Sequence, residues 1–270
     1  MTMEEKLPHV IFKVKDNLYA INSGVTIALT KLPENLTGTQ KSEKFELGIM
    51  NLRNQIVPVI SMRMLFGCKT VTEEYKEFTD MIDARKNDHI NWINELKKSV
   101  RENREFTLTT NPHQCEFGKW YDNFKIDIQN INFHMKKIDL PHTQLHQIAL
   151  EVEKVKKESN EETREEKLEK LLYKAEYEYM ASVIELLDRT KEIFKENFNA
   201  MVIVINKNNR FIGLLVDEII TVEDFIINET SEINFSINQP NFISAIGRTK
   251  EIDDHIFLVE DEKLFNLYKK

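Results

Sequence analysis

Four side chains that can bind a metal ion are the strongest chemical signal in the sequence. His142 and His146 are four residues apart, so on a helix their Cβ atoms would lie about 5–6 Å apart, which suits two ligands of one ion. Pro141 precedes them, where the first turn of a helix tolerates proline. His89 lies on the apolar stripe of one predicted helix, and Cys115 stands at the start of another, where the helix dipole is expected to lower the pKa of a thiol. Three histidines and one cysteine could complete a tetrahedral zinc site.

Each of these residues also has an ordinary structural explanation. A histidine on an apolar stripe is commonly a core or boundary residue, and a single cysteine is commonly a small buried hydrophobe. His113, two residues before Cys115, is a competing ligand, but it stands in an otherwise polar turn. The remaining histidines are predicted to be surface or strand residues: His9, His134 and His255. Spacing alone therefore leaves zinc binding and ordinary packing both open.

The neighbours of Cys115 in Gln114-Cys-Glu-Phe-Gly-Lys-Trp-Tyr121 fit a metal site as well. Gly118 is predicted to let a neighbouring helix or a histidine ring approach the backbone near the thiol. Trp120 is predicted to form an apolar wall that keeps the site dry and holds the ligand rotamers. Trp120 and Trp92 are equally compatible with an ordinary core.

Apolar residues recur with the helical period in four stretches of the middle of the chain. The stretches run from Phe78 to Leu96, from Phe117 to Ile131, from Leu145 to Val155 and from Leu168 to Phe194. A short break is predicted near Ser159-Asn160, in a charge-rich link. Four amphipathic stretches with modest connections predict an antiparallel four-helix bundle.

The two ends of the chain have the pattern of short β-strands separated by turn residues. Residues 9–67 and 200–270 show it, and Asp16-Asn17 is predicted to form a hairpin turn. Neither end has enough strands to close a core alone. The predicted fold is therefore α+β and multidomain, with a β domain made of residues 1–70 and 199–270 and a helical bundle, residues 71–198, inserted into it.

Composition limits the classes of function. The chain of 270 residues has a net charge of −8 and a pI near 5.5, whereas proteins that bind nucleic acid or anionic membranes carry a basic face. No apolar run approaches the roughly 20 residues of a membrane-spanning helix, and the acidic pair in the N-terminal MTMEEK is unlike a signal peptide. The two cysteines do not make a disulfide framework, and Cys68 is predicted to be structural or exposed. We expect a cytoplasmic protein with reduced thiols that binds no nucleic acid and does not insert into a membrane.

The metal-ligand pattern also resembles a known family. His89-Ile-Asn-Trp92, Cys115-Glu-Phe-Gly-Lys-Trp120 and His142-x-x-x-His146 together resemble the chemoreceptor zinc-binding domain, over about residues 73–198. The resemblance implies a cytoplasmic four-helix bundle that holds zinc through His89, Cys115, His142 and His146. It also implies a signalling role, exerted through zinc occupancy or through oxidation of the cysteine ligand.

Motifs in the flanking segments point to a second family. They are Gly48-x-x-Asn-Leu-Arg-Asn54, Val57-Pro-Val-Ile60, Ile212-Gly-Leu-Leu-Val-Asp-Glu218 and Phe242-Ile-Ser-Ala-Ile-Gly247. They are similar to motifs of the CheW-like domain, the adaptor fold that joins chemoreceptors to the CheA kinase. The resemblance implies a pair of small five-stranded barrels, interrupted by the bundle, with Arg53 facing the receptor.

Three positions depart from the CheW-like pattern. Asn54 replaces a glycine, so an asparagine must adopt the left-handed turn conformation. Ser61 replaces an aspartate, which removes a carboxylate that could orient a neighbouring arginine. The acidic residue expected near Val25 is absent.

Three functions are compatible with these patterns. The first is a non-catalytic chemotaxis adaptor that binds the cytoplasmic tips of chemoreceptors and the regulatory domain of CheA, while its bundle senses zinc or an oxidant through Cys115. That bundle could also form a homodimer. The second is the same scaffold with zinc as a permanent structural staple. The third, a zinc enzyme, is disfavoured because four protein ligands leave no open position for water and because Thr143 stands where a His-Glu-x-x-His motif needs glutamate.

Overall fold

The chain folds into two compact units. A computed structural model describes residues 8–33, 35–38, 43–126, 128–198, 200–229 and 242–267. The first unit combines Met1–Val71 with Phe198–Lys270, and the second is Thr72–Asn197. Within the described ranges, no helix is long and apolar enough to cross a bilayer.

The first unit is built mainly from β-strands. Its described strands are β1 (Pro8–Val14), β2 (Asn17–Asn22), β3 (Thr26–Lys31), β4 (Glu46–Leu52), β5 (Gln55–Ser61), β6 (Met201–Lys207), β7 (Arg210–Val216), β8 (Glu218–Asp224), β9 (Ile226–Glu229), β10 (Ile243–Arg248) and β11 (Ile256–Val259). They form one sheet with the order β8-β1-β2-β11-β10-β9 and a second with the order β3-β6-β7-β5-β4. The expected α+β architecture, with two small β-sheets and an inserted helical region, is confirmed, although one sheet has six strands where five were expected.

Both sheets combine strands from the two ends of the chain. β5 lies parallel to β7, with Val59 opposite Gly213, and β2 lies parallel to β11, with Tyr19 opposite Phe257. A parallel pair needs a long connection because its strands begin at the same edge of the sheet. Side chains from both ends also share one buried cluster. The expectation that neither end closes a core alone is therefore confirmed.

The turns that follow β1 and β4 use the left-handed backbone conformation. The turn between β1 and β2 lies at Lys15 and Asp16, with Lys15 at φ 54°, so the predicted Asp16-Asn17 turn was one residue late. The turn between β4 and β5 has Arg53 at φ 49° and Asn54 at φ 65°. Two successive positive φ values are typical of a two-residue hairpin that matches the twist of its strands. Asparagine therefore takes the conformation that the sequence requires of it.

A short helix, α1 (Met62–Leu65), follows β5. Ser61 caps it, because its hydroxyl oxygen accepts a hydrogen bond from the Met64 N–H at 3.3 Å. The serine that replaces the expected aspartate thus has a local structural function. Phe66 ends the helix, so Cys68 follows a helix rather than a strand and packs half-buried against the core of the unit.

Arg63 in α1 is a buried cation with several partners. Its Nε donates to the Asp217 carboxylate at 2.6 Å, and its Nη1 donates to the Lys69 carbonyl at 3.2 Å. The guanidinium also lies over the Phe198 ring, 5.9 Å from the ring centre. Lys69 is the last lysine before the helical unit begins and Phe198 the first residue after it ends. One side chain therefore contacts the chain on both sides of the insertion.

The second unit is helical. Its helices are α2 (Val71–Arg101), α3 (Glu116–Asn123), α4 (Gln129–Met135), α5 (Asp139–Val155), α6 (Glu161–Tyr173) and α7 (Ala181–Glu196), and the last described helix of the first unit is α8 (Asp261–Asn266). A π-helical segment, Lys174–Met180, joins α6 to α7. The predicted break before α6 is present, and the Asn160 side chain caps the new helix by accepting from the Thr163 N–H at 3.3 Å.

The second predicted helical stretch is wrong as a single helix. α3 ends at Asn123 and α4 begins at Gln129, with Phe124 in an extended conformation after α3. The Tyr121 hydroxyl spans the interruption by donating to the Met135 carbonyl at 2.9 Å. Each short helix buries apolar residues of the predicted stripe, Phe117 in α3 and Ile131 in α4.

Ion pairs fix the direction of α7 against α2. Asp83 pairs with Lys191, Lys86 with Asp188 at 2.8 Å, and Lys97 with Glu176, just before α7, at 2.5 Å. Residue numbers rise along α2 while those of its partners fall. The two helices are therefore antiparallel.

Candidate metal centre

The four predicted ligands lie together in the helical unit. His89 comes from α2, Cys115 is the residue that caps the start of α3, and His142 and His146 lie one turn apart on α5. One possible ligand atom from each residue lies within 4.8 Å of the others, and all four side chains are buried. Three separate elements therefore converge on one point.

Several ring nitrogens at this point make no hydrogen bond of normal length. His89 Nδ1 lies 3.1 Å from the Arg85 carbonyl, which can only accept, so Nδ1 carries the proton and Nε2 presents a lone pair. Nε2 of His89 and both ring nitrogens of His146 are buried without a hydrogen bond of normal length, although the His146 ring interacts with the Thr109 backbone, and His142 Nε2 lies 3.4 Å from Cys115 Sγ. A buried polar atom without a hydrogen bond costs free energy, and a metal ion bound to the nitrogen lone pairs would remove that cost. A zinc ion fits this donor set of three imidazoles and one thiol.

The three histidines are neutral in the folded protein. Burial lowers the pKa of His89 and of His146 to about 4. Burial lowers the pKa of His142 to about 2, and its neighbours His89 and His146 add to the lowering. Neutral imidazoles are the form that binds metal.

The thiol of Cys115 behaves differently from the sequence prediction. Burial raises its pKa, against the opposing effect of the N–H groups of Gly118 and Phe117 at the start of α3. The Gly118 N–H donates to Sγ at 3.1 Å, and Sγ in turn lies 3.2 Å from the Pro112 carbonyl. The expected lowering by the helix N-terminus is wrong for the metal-free protein, because desolvation outweighs the two N–H groups.

Gly118 is required by a contact that the sequence did not identify. A Cβ at this position would lie 1.8 Å from the Pro112 carbonyl oxygen and 3.0 Å from the His113 Cα. The close neighbour is thus the backbone of the loop before Cys115, not another helix or a histidine ring. The glycine lets that loop fold back over the first turn of α3.

Phe117 and Trp92 form the aromatic wall that was predicted for Trp120. The Phe117 ring is fully buried and its centre lies 4.8 Å from those of both His89 and His142. The Trp92 ring centre lies 4.6 Å from that of His146. Trp120 is half-buried, packs on Phe117 and donates its N–H to the Met81 sulfur at 3.1 Å. The only signal for Phe117 was its place on the apolar stripe two residues after Cys115.

The other predicted residues lie away from the cluster. His113 is exposed and pairs with Asp122 at 3.0 Å, so it does not compete for the site. His134 is buried on α4 with its Nε2 3.0 Å from the Leu186 carbonyl, so its predicted surface position is wrong. His9 lies on β1, as predicted, and His255 is exposed before β11.

Arg53 lies in the other unit, at the tip of the β4–β5 hairpin. Its side chain is exposed, and the following Asn54 N–H donates to the Asn51 side chain at 3.0 Å, which holds the turn. Ile56, on the adjacent strand, is 71% exposed. A cation and an apolar side chain are therefore presented together to solvent.

Comparison with known proteins gives matches in both units. The family model described as CheW-like domain matches residues 8–89 and 178–268, and the model described as chemoreceptor zinc-binding domain matches residues 89–153. The chemotaxis protein CheW of Helicobacter pylori (strain ATCC 700392 / 26695) is 32% identical over 100 residues, which cover 36% of this chain and 59% of that protein. The chain therefore spans less than two thirds of the length of this relative. Both resemblances found in the sequence are confirmed, with the zinc-binding match lying between the two CheW-like segments.

A solved structure is also similar along most of its length. The crystal structure of scaffolding protein TtCheW from Thermoanaerobacter tengcongensis covers 98% of this chain and 95% of its own, at 12% identity and a TM-score of 0.42. That TM-score is too low to support a conclusion about the fold. Family membership therefore rests on the sequence match.

Proposed function

We propose that this chain, which belongs to the CheW-like domain family, is a chemotaxis adaptor. It would couple the cytoplasmic tips of chemoreceptors to the regulatory domain of the CheA kinase. Its helical unit would bind one zinc ion through His89, Cys115, His142 and His146. The coupling would depend on zinc occupancy or on the oxidation state of Cys115. The protein would act without catalysis.

One observation carries the zinc proposal. Four buried side chains present their donor atoms within 4.8 Å, and three of the buried ring nitrogens make no hydrogen bond of normal length. Zinc bound there would supply a closed four-coordinate cross-link between helices, since protein ligands would fill every position. Cys115 would lose its proton on binding, because only the thiolate is a metal ligand.

Cys115 is the group through which an oxidant would act. A Cys115 thiolate that attacks hypochlorous acid becomes a sulfenic acid, while chloride leaves with the electron pair of the broken O–Cl bond. The oxidised sulfur is a poorer ligand, so the start of α3 would lose its link to His142 on α5. We propose that this loosening reaches the β unit through the chain crossings near Val71 and Phe198.

Metal content tests the first part of the proposal. The purified protein is expected to hold about one zinc per chain, because a tetrahedral site with four protein ligands binds a single ion. Cys115→Ala is expected to lower zinc affinity, whereas Cys68→Ala serves as the matched control and should leave it unchanged. Purified wild-type protein without bound metal, even after incubation with zinc, would remove the central claim.

Kinase activity tests the second part. CheA activity in receptor arrays is compared between the zinc-loaded and the chelated protein. Identical activity would remove the sensory role and leave zinc as a structural staple. A dissociation constant far below cellular free zinc, together with an unreactive Cys115, would favour the staple as well.

Further features of the adaptor belong to the same proposal. The domains would be residues 1–70 and 199–270 for the CheW-like body and 71–198 for the bundle, which agrees with the division into compact units. Arg53 would face the receptor, supported by its exposed position at a hairpin tip. The protein would act in the cytoplasm, and the bundle could form a homodimer. Loss of binding to a receptor cytoplasmic fragment in Arg53→Glu, but not in Arg248→Glu, would support the assignment of Arg53.

A further inference from the structure

A cavity of about 250 Å³ adjoins the candidate metal centre. Three of the four proposed ligands line it, namely His89, Cys115 and His146, whereas His142 does not. Phe117 and Trp92 also line it and are buried. The cluster therefore has one side that faces empty space and another that is closed by protein.

The other end of this cavity reaches the protein surface. Its remaining lining includes four exposed residues: Asn91, Leu108, Gln114 and Glu116. Leu108 and Gln114 come from the loop between α2 and α3, and Leu108 is 42% exposed. Exposed residues at one end and buried ligands at the other describe a passage from solvent to the thiol.

The loop that carries Leu108 is held in place by Trp92. The Trp92 Nε1–H donates to the Thr109 carbonyl at 3.0 Å, next to Leu108 in the sequence. Leu108 contributes no donor atom to the cluster, so it can affect passage without affecting coordination. Leu108 is apolar and makes no hydrogen bond or ion pair with a solute, so it affects entry to the cavity only through its size.

Two carboxylates line the passage, and each is paired with a cation. Asp88 and Glu116 line the cavity, while their cationic partners Arg85, at 3.0 Å, and Lys119, at 2.7 Å, lie outside the lining. Because each carboxylate has a cationic partner, charge at the passage bars neither zinc nor a neutral reagent.

We infer that this cavity is the access route by which zinc and small neutral thiol reagents or oxidants reach Cys115, and that Leu108 controls its mouth. A volume of this size corresponds to about eight waters at roughly 30 Å³ each, so a small solute fits inside the cavity. The metal part of this inference rests on the proposed zinc site. The thiol part does not, because it concerns the metal-free protein.

The inference predicts a change in rates without a change in affinity. A residue that narrows a passage raises the barrier equally for entering and leaving solutes. The association and dissociation rates of zinc should therefore fall by the same factor in Leu108→Trp, and their ratio should stay constant. Leu108→Ala, which widens the mouth, should raise both rates.

The experiment uses the full chain and a matched control. Leu150 is also an exposed leucine of the helical unit, 48% exposed, and does not line the cavity, so Leu150→Trp controls for the added ring. Iodoacetamide labels the metal-free protein, and peptide mass spectrometry follows Cys115 with Cys68 as an internal reference. Zinc sulfate alone, added in stopped-flow measurements, gives the metal rates.

We expect Leu108→Trp to slow labelling of Cys115 and both zinc rates by about tenfold, the effect of a modest added barrier. Labelling of Cys68 and all rates in Leu150→Trp should remain at wild-type values. Unchanged Cys115 labelling in both Leu108 variants would overturn the inference, as would a change in zinc affinity without a change in association rate. If the wild-type protein binds no zinc, the proposed function fails, and the labelling rates still decide the access route.

Discussion

Replacement of Gly118 by alanine should weaken both the metal-free helical unit and its binding of zinc. Gly118 lies in the first turn of α3, where propensity alone would make alanine more favourable by up to about 1 kcal/mol. The structure predicts the opposite sign. A Cβ at this position would lie 1.8 Å from the Pro112 carbonyl oxygen and 2.8 Å from the Pro112 carbonyl carbon. These are backbone atoms, so no side-chain rotation can relieve the contact.

The required movement sets the size of the effect. Real Cβ contacts essentially never fall below 3.0 Å, so the loop at Pro112 and the first turn of α3 must separate by more than 1 Å from the present 1.8 Å. Overpacking of this kind costs about 1–3 kcal/mol, which exceeds the gain in helix propensity. Cys115 Sγ is bonded to the Gly118 N–H on one side and approaches the Pro112 carbonyl on the other, so the thiol moves with them. Metal–ligand distances tolerate only about ±0.2 Å, and we expect zinc affinity to fall by about 100-fold or more.

Two measurements decide this prediction. Chemical unfolding in the presence of a chelator, followed by circular dichroism, gives the free energy of unfolding of the helical unit. Competition with a chromophoric chelator gives the zinc affinity. Gly38→Ala is the matched control, since a Cβ there would meet no atom within 4 Å. A Gly118→Ala protein that is more stable than wild type and binds zinc equally well would refute the reasoning.

Three other predictions concern stability. The metal-free protein should lose stability as the pH falls below about 6.5, because folding lowers the pKa values of the three clustered histidines to about 4 or less and only the unfolded chain takes up protons. The free energy of unfolding should fall by up to about 1.4 kcal/mol per pH unit for each histidine. A free energy of unfolding that does not change with pH in chemical unfolding would contradict this prediction. Arg63→Met should destabilise the β unit by about 3 kcal/mol, because it leaves the Asp217 carboxylate largely buried without the Arg63 cation. Arg248→Met, which removes an exposed ion pair, should cost about 0.5 kcal/mol or less. Equal losses of stability in denaturant titrations would contradict a stabilising role of the buried pair. Trp92→Phe should keep an aromatic ring against the cluster but lose the hydrogen bond to the Thr109 carbonyl, at a cost of about 1 kcal/mol of stability. Amide hydrogen exchange in the loop before α3 should become faster. An unchanged exchange rate would show that this hydrogen bond does not hold the loop.

Local patterns identified the four candidate side chains, although spacing alone did not show that they converge. The spacing of His142 and His146 fixes their proximity on any helix, and His89 lies on a stripe that must face the interior. The change from strand periodicity to helical periodicity along the sequence likewise predicted the division into two units. These properties need only the sequence near each residue.

What failed depends on contacts between distant segments or on burial. The interruption between α3 and α4 is invisible to periodicity, since Tyr121 bridges it only in the folded chain. The raised pKa of Cys115 reflects desolvation, which a helix start does not reveal. The neighbour of Gly118 is a loop whose path has no sequence signature, and His134 is buried by the packing of α4 on α7.

The contacts of Arg63 show why the helical unit could be removed without breaking the β unit. Because this side chain reaches both Lys69 and Phe198, the chain leaves the β unit and returns to it at neighbouring points. A segment whose ends lie side by side can be gained or lost in evolution while the strands around it keep their register. A shortened protein in which a few glycines and serines replace the helical unit should therefore keep the parallel pairing of β5 with β7. By this route the metal centre of the full chain would be an addition to an older scaffold.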